Sequence, residues 1–272
     1  MPDGAALMLL ALAGWRVRLA CRPAGFAAET AARYASFAVA DDAAPHLTVE
    51  ATLVGSTAAP ASEAAAPRLD GSIWLLDAAG FSGTINYAHA QANLTLDSAT
   101  PQVHLEYFLR VLIALLAQRE DGLLIHAAGL RMPATGQVNL FIGCSGSGKS
   151  TVARLSAGQA VTLNDDLVLV RPATGGWNAY GTPFWNAETG DRVGQTAHGP
   201  IAGVYVLIQD RAVYLEPCSL AVATAELAVN CPVVNGDPVL TPGLLARCRS
   251  LAAAVPVQRL HFRKDPDFWQ LL

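Results

Sequence analysis

The run Gly143-Cys-Ser-Gly-Ser-Gly-Lys-Ser-Thr151 constrains the fold of this 272-residue chain more than any other stretch. Its glycines, Gly143, Gly146 and Gly148, crowd into one short segment, which neither a helix interior nor a strand interior favours. The apolar stretch VNLFIG (138–143) precedes them, and KSTVARLSAG (149–158) follows as a short helix stopped by Gly158. The spacing is that of G-x-x-x-x-G-K-[ST]. In that pattern backbone N–H groups turn inward around phosphate oxygens, and the new helix directs its positive end at the same anion. Strand, loop and helix in this order predict an α/β core that holds a nucleotide. Gly143, Ser145, Gly146, Ser147, Gly148, Lys149, Ser150 and Thr151 are the expected cradle. Within it Lys149 reaches the β- and γ-phosphates, and the Ser150 hydroxyl is placed to ligate Mg²⁺. Cys144 reads as a small filler.

Two further features flank the loop. Leu163-Asn164-Asp165-Asp166-Leu167-Val168 puts two carboxylates inside an apolar run, where unpaired charge is costly. A metal, a cation or a shared proton would compensate them. Adjacent strand residues point to opposite faces, so both can enter one site only at a strand end or kink, for which Asn164 is suited. The alternative is a plain N-D-D turn with both carboxylates in water. His126 lies in LLIHAAGL (123–130), just ahead of the strand that feeds the loop. Alone it reads as a core histidine; beside a carboxylate base it would orient or tune that base.

The rest of the chain divides in two. Residues 1–100 read as a β-rich domain that could recognise substrate, with WRVRLA (15–20), HLTVEATL (46–53), SIWLLD (72–77) and ANLTLD (92–97) as strands. AALMLLALA (5–13) reads as a buried strand or short helix, and 54–71 as a surface loop. From Pro101 onward, VHLEYFLRVLIALLAQRE (103–120) has an apolar stripe at helical spacing. GVYVLI (203–208) and RAVYLEP (211–217) suggest a hairpin, Ser219 and Thr241 are helix N-caps, and VPVQRLHF (255–262) is a closing strand.

Composition excludes several classes. Apolar residues make up 52% and charged residues 15%, so the chain buries a core rather than staying disordered. The net charge of −4 gives no basic surplus for nucleic acid. The N-terminal apolar run is too short for a membrane span and lacks the basic flank of a signal peptide. Five scattered cysteines without a C-x-x-C pair suggest reduced thiols and a cytoplasmic protein. Of the 18 basic residues only Lys149 and Lys264 are lysine, which marks Lys149 as selected for its compact ammonium.

Together, LLIHAAGL, VNLFIGCSGSGKSTVARL and AVTLNDDLVLV resemble the HPr kinase/phosphorylase family and its shorter relatives, among them lasso-peptide tailoring kinases. YGTPFWNAE (180–188) and 201–219 look like the short relatives too, and the resemblance runs from about residue 100 to the C-terminus. It implies a core of the HPr kinase/phosphoenolpyruvate carboxykinase type at 101–272, using ATP and Mg²⁺. It also implies transfer of the γ-phosphoryl group to a serine of a peptide or small protein, such as a ribosomally made precursor. Carried over, Asp165 resembles the general base, His126 the residue that orients it, and Ser150 with Asp166 the metal ligands. Glu188 or Asp191 resembles a further metal ligand. Regulatory members of the family assemble, so a homo-oligomer is within the family's range. No EIRGLG-type signature follows the Asp pair, which points away from HPr and phosphorolysis toward another acceptor. Arg192, Arg247, Arg249 and Arg259 are candidates for a cation at the transferred phosphoryl group. Two other readings stay open: a small-molecule phosphotransferase on the same core, and a nucleotide-responsive binding module without chemistry. No N-K-x-D run supports a GTPase.

Overall fold

The computed structural model describes residues 6–40, 43–56, 66–184, 194–234 and 237–272. It is mixed α/β, with two large sheets and few helices, and divides into two compact units, Met1–Ile113 and Ala114–Leu272. No helix among the described residues is long and apolar enough to cross a membrane.

In the first unit, β1 (Ala6–Leu12) and β2 (Trp15–Arg22) form a hairpin through Ala13 and Gly14, both at positive φ. That geometry matches the right-handed twist of the flanking strands. A helix, α1 (Ala24–Tyr34), and a two-residue strand, β3 (Ala38–Val39), follow. Then come β4 (Leu47–Gly55), β5 (Arg68–Asp70), β6 (Ile73–Ala78), β7 (Phe81–Asn86) and β8 (Gln91–Asp97). The sheet order is β3-β1-β2-β4-β8-β7-β6-β5. β8 alternates buried and exposed residues along its length, as a strand with one covered face must.

Part of the cover is α2 (Pro101–Arg119), whose Phe108 ring sits where a side chain on Gly83 would be, 2.5 Å from the ideal Cβ. Glu106, buried, pairs with Arg33 of α1 and with Arg110. His104 is also buried against Phe81, and burial holds its pKa below the usual histidine value. These contacts lie within the unit Met1–Ile113. The first half of the helix belongs with the first sheet.

Sequence and structure differ in this unit in two places. α1 lies in an alanine-rich segment with few large apolar residues, and it buries only Phe26, Ala27, Thr30 and Tyr34. That stripe is too sparse to stand out as a helical period. β5 falls inside the stretch expected to be loop, the rest of which is partly outside the described residues.

The second unit holds β9 (Leu123–Arg131), β10 (Val138–Ile142), α3 (Lys149–Leu155), β11 (Val161–Asn164), β12 (Leu167–Ala173) and β13 (Gly176–Tyr180). β14 (His198–Gln209), β15 (Tyr214–Pro217), α4 (Leu220–Val229), α5 (Thr241–Ala254) and β16 (Val257–Phe262) complete it, with a closing 3₁₀ turn at Pro266–Leu271. Pairings β10–β9–β12–β13–β14–β10 close into a ring, from which β16 and then β15 extend. β10, β14 and β16 run parallel, so their carboxyl ends share one edge. Phe141, Val152, Leu207, Leu260, Phe262 and Phe268 form the apolar cluster that joins α3 to these strands. Each such buried side chain contributes about 1.5–3 kcal/mol.

The hairpin expected over 203–217 does not form. Both edges of the second half of β14 are taken, by β10 and by β16, so β15 pairs instead with the far side of β16. Ser219 caps α4 by accepting from Val222 N at 3.3 Å, as expected. Thr241 does not cap α5. Its hydroxyl donates to Asp237 O, and the Asp237 carboxylate takes the turn's N–H groups from Val239 and Leu240.

Candidate active site

The glycine-rich loop leaves β10 at the shared carboxyl edge. Gly148 has φ 112° and its hydrogen faces the Phe262 ring, 2.7 Å from where a Cβ would lie. Any side chain there would meet both backbone strain and a ring fixed in the core. Gly143 is closed in the same way by Ser147, whose own hydroxyl is buried without a hydrogen-bond partner among the described residues.

Lys149 opens α3 yet turns back. Its ammonium donates to Gly143 O at 2.8 Å and Cys144 O at 3.1 Å, and the side chain is buried. A buried ammonium needs such acceptors to offset desolvation. Asn230, at the end of α4, anchors the base of the loop by accepting from Gly143 N at 3.2 Å, and its carbonyl accepts from His126 N at 2.7 Å. Gln209, at the end of β14, donates to Gly146 O at 2.7 Å.

The two aspartates lie on a bend between β11 and β12, shaped by Asn164. Its Oδ1 accepts from Asp166 N at 2.7 Å and Leu167 N at 3.0 Å. Its amide donates to Thr182 O, Thr182 Oγ1 and Phe184 O. This is the side-chain-closed turn that Asn forms readily. In the β9–β12 ladder His126 stands opposite Leu167, next in sequence to Asp166. Accordingly His126 Nε2 lies 3.2 Å from Asp166 Oδ1. The carboxylate that His126 meets is thus that of Asp166, where the sequence pointed to Asp165.

These pieces enclose a cleft of about 380 Å³ lined by His126, Ser145, Gly146, Gly148, Lys149, Ser150, Thr151, Asp166, Gln209 and Lys264. Gly143 and Ser147, also expected in the cradle, are not among the residues that line the cleft. Asp165, half-buried at the bend, is outside the lining. Glu188, Asp191 and Arg192 lie outside the described residues. The other arginine candidates stand elsewhere. Arg247 bonds Gln118 and Asp121, Arg259 pairs with Glu216, and Arg249 is exposed on α5.

For a divalent cation the cleft offers a hydroxyl, Ser150, and a carboxylate, Asp166. Among the described residues no cluster of three or more His, Cys, Asp or Glu side chains could form an all-protein metal cage. That donor set still fits Mg²⁺, a hard ion commonly held by one or two carboxylates plus phosphate oxygens and water.

Asn230, Gln209 and Lys264 were not among the residues the motifs singled out. The rarity of lysine was a usable signal for Lys264. Asn230 and Gln209 carry none, since each reaches the loop through non-local pairing. No protein-family model matches the chain, and a search of curated proteins gives no match.

Proposed function

We propose that the chain is an ATP-dependent kinase that transfers the γ-phosphoryl group to a serine hydroxyl of a peptide or small protein. One observation carries this reading: the glycine-rich loop with Lys149 and Ser150 shares a single cleft with the Asp166–His126 pair. A nucleotide-binding loop needs no carboxylate–histidine pair beside it, whereas phosphoryl transfer to an alcohol benefits from one. The resemblance to HPr kinase-like proteins, with a His before the loop and an Asp pair after it, supports the same reading.

In this proposal the loop N–H groups and Lys149 hold the triphosphate. Ser150 and Asp166 would hold Mg²⁺, which neutralises charge on the β- and γ-phosphate oxygens. In the assignment that the resemblance implies, Asp165, at the bend beside the cleft, takes the serine proton as the new O–P bond forms and the bond to the β-phosphate oxygen breaks, releasing ADP. The contact between His126 and Asp166 favours a second assignment, in which Asp166 is the base and His126 orients it.

Separate Asp165→Asn and Asp166→Asn variants decide between them, with transfer to serine-containing peptides read by mass spectrometry. The variant lacking the base loses about 10²–10⁴-fold in turnover at saturating Mg²⁺. The variant lacking the metal ligand requires more Mg²⁺ for half-maximal rate. Full activity in both variants would refute the carboxylate-assisted mechanism. Phosphorylated small alcohols with inert peptides would select the small-molecule phosphotransferase. ATP binding without transfer to any acceptor would select the binding module.

A further inference from the structure

We infer that Lys264 is a second phosphate-binding cation of the cleft, acting on the distal phosphates of a nucleoside triphosphate; the inference rests on the triphosphate reading of that cleft. The chain uses arginine for its cations at every position except Lys149 and Lys264, and both lysines line the same cleft. One stands in the glycine-rich loop and the other just beyond the last strand.

The topology explains how they meet. β10, β14 and β16 are parallel, with Ile142 opposite Val206 and Gln209 opposite Phe262. The glycine-rich loop leaves the end of β10, Gln209 ends β14, and Lys264 follows the end of β16. Ligands of parallel sheets collect outside such carboxyl ends. Gln209 already grips Gly146 O there, so the three strand ends form one rim around the loop.

The neighbours of Lys264 are committed elsewhere. Phe262 packs under Gly148. Arg263 pairs with Asp265 at 2.8 Å and Asp267 at 2.6 Å, which occupies the nearby carboxylates. Trp269 Nε1 donates to Ser156 Oγ at 3.1 Å, tying the closing turn to the end of α3. The segment carrying Lys264 is therefore fastened on both sides. Lys264 itself is exposed and makes no ion pair among the described residues. Lys149 spends two of its N–H groups on loop carbonyls, so a further ammonium at the rim supplies charge that the loop lysine does not. A compact ammonium on a flexible stem can follow a phosphoryl group as it moves, which a planar guanidinium does less readily.

The test is isothermal titration of the full chain, Lys264→Ala and Lys264→Arg with MgATP, MgADP and AMP. Losing one charge-assisted contact should weaken MgATP binding about ten-fold in Lys264→Ala, with less change for MgADP and none for AMP. Lys264→Arg should recover most of the loss, and the melting temperature of Lys264→Ala should match the parent. Unchanged MgATP affinity in Lys264→Ala overturns the inference, as does equal weakening for AMP. Failure of the parent chain to bind any of the three nucleotides would instead refute the triphosphate reading on which the inference stands.

Discussion

Lys149→Met should lower the rate of phosphoryl transfer by about 10²–10³-fold, the usual cost of deleting one preorganised group that meets developing charge. Methionine keeps much of the apolar stem but removes the ammonium. That ammonium donates to Gly143 O and Cys144 O, so the variant also loses two loop contacts. Their loss is worth about 1–2 kcal/mol of stability, which a denaturant titration resolves. The two effects separate cleanly. A purely structural role would lower stability while leaving transfer by the folded fraction intact. A role in holding phosphate removes transfer at temperatures where the variant is fully folded.

Asn164→Ala should be the most damaging single change to the fold near the cleft, at about 3 kcal/mol. The side chain is 3% exposed and makes five hydrogen bonds, to Asp166 N, Leu167 N, Thr182 O, Thr182 Oγ1 and Phe184 O. Alanine leaves these partners without compensation and leaves a void besides. The bend then no longer fixes Asp166 beside His126, so activity falls further than the loss of folded protein accounts for. Asn164→Asp keeps the shape and the two acceptor contacts but sets a carboxylate oxygen against the carbonyls of Thr182 and Phe184. It too should be destabilised. A shift in unfolding free energy for Asn164→Ala within the ±0.5 kcal/mol typical of surface changes would contradict this account of the bend.

Local chemistry was legible in the sequence and non-local pairing was not. The strand–loop–helix around Gly143–Thr151 follows from apolar runs interrupted by glycine. The bend at Asp165 and Asp166 follows from an Asn-Asp-Asp run that cannot continue as a buried strand, and Asn164 closes it as its side chain allows. By contrast, the choice of Asp166 over Asp165 as the partner of His126 depends on the register between β9 and β12, which no short motif encodes. The missing hairpin has the same origin. Residues 203–217 look like two strands and a turn, but parallel partners from distant parts of the chain occupy both edges of β14. Gln209 and Lys264 reach the cleft through those same parallel pairings.

In the function proposed above, the cleft bounded by Gly146, Lys149, Ser150 and Asp166 holds the phosphates of a magnesium-bound nucleoside triphosphate. Phosphorus NMR of MgATP titrated with the protein tests it most directly. The β- and γ-phosphate resonances should broaden or shift and saturate at equimolar protein, and Lys149→Met should remove the effect. Resonances that stay those of unbound MgATP in the presence of excess folded protein would contradict it.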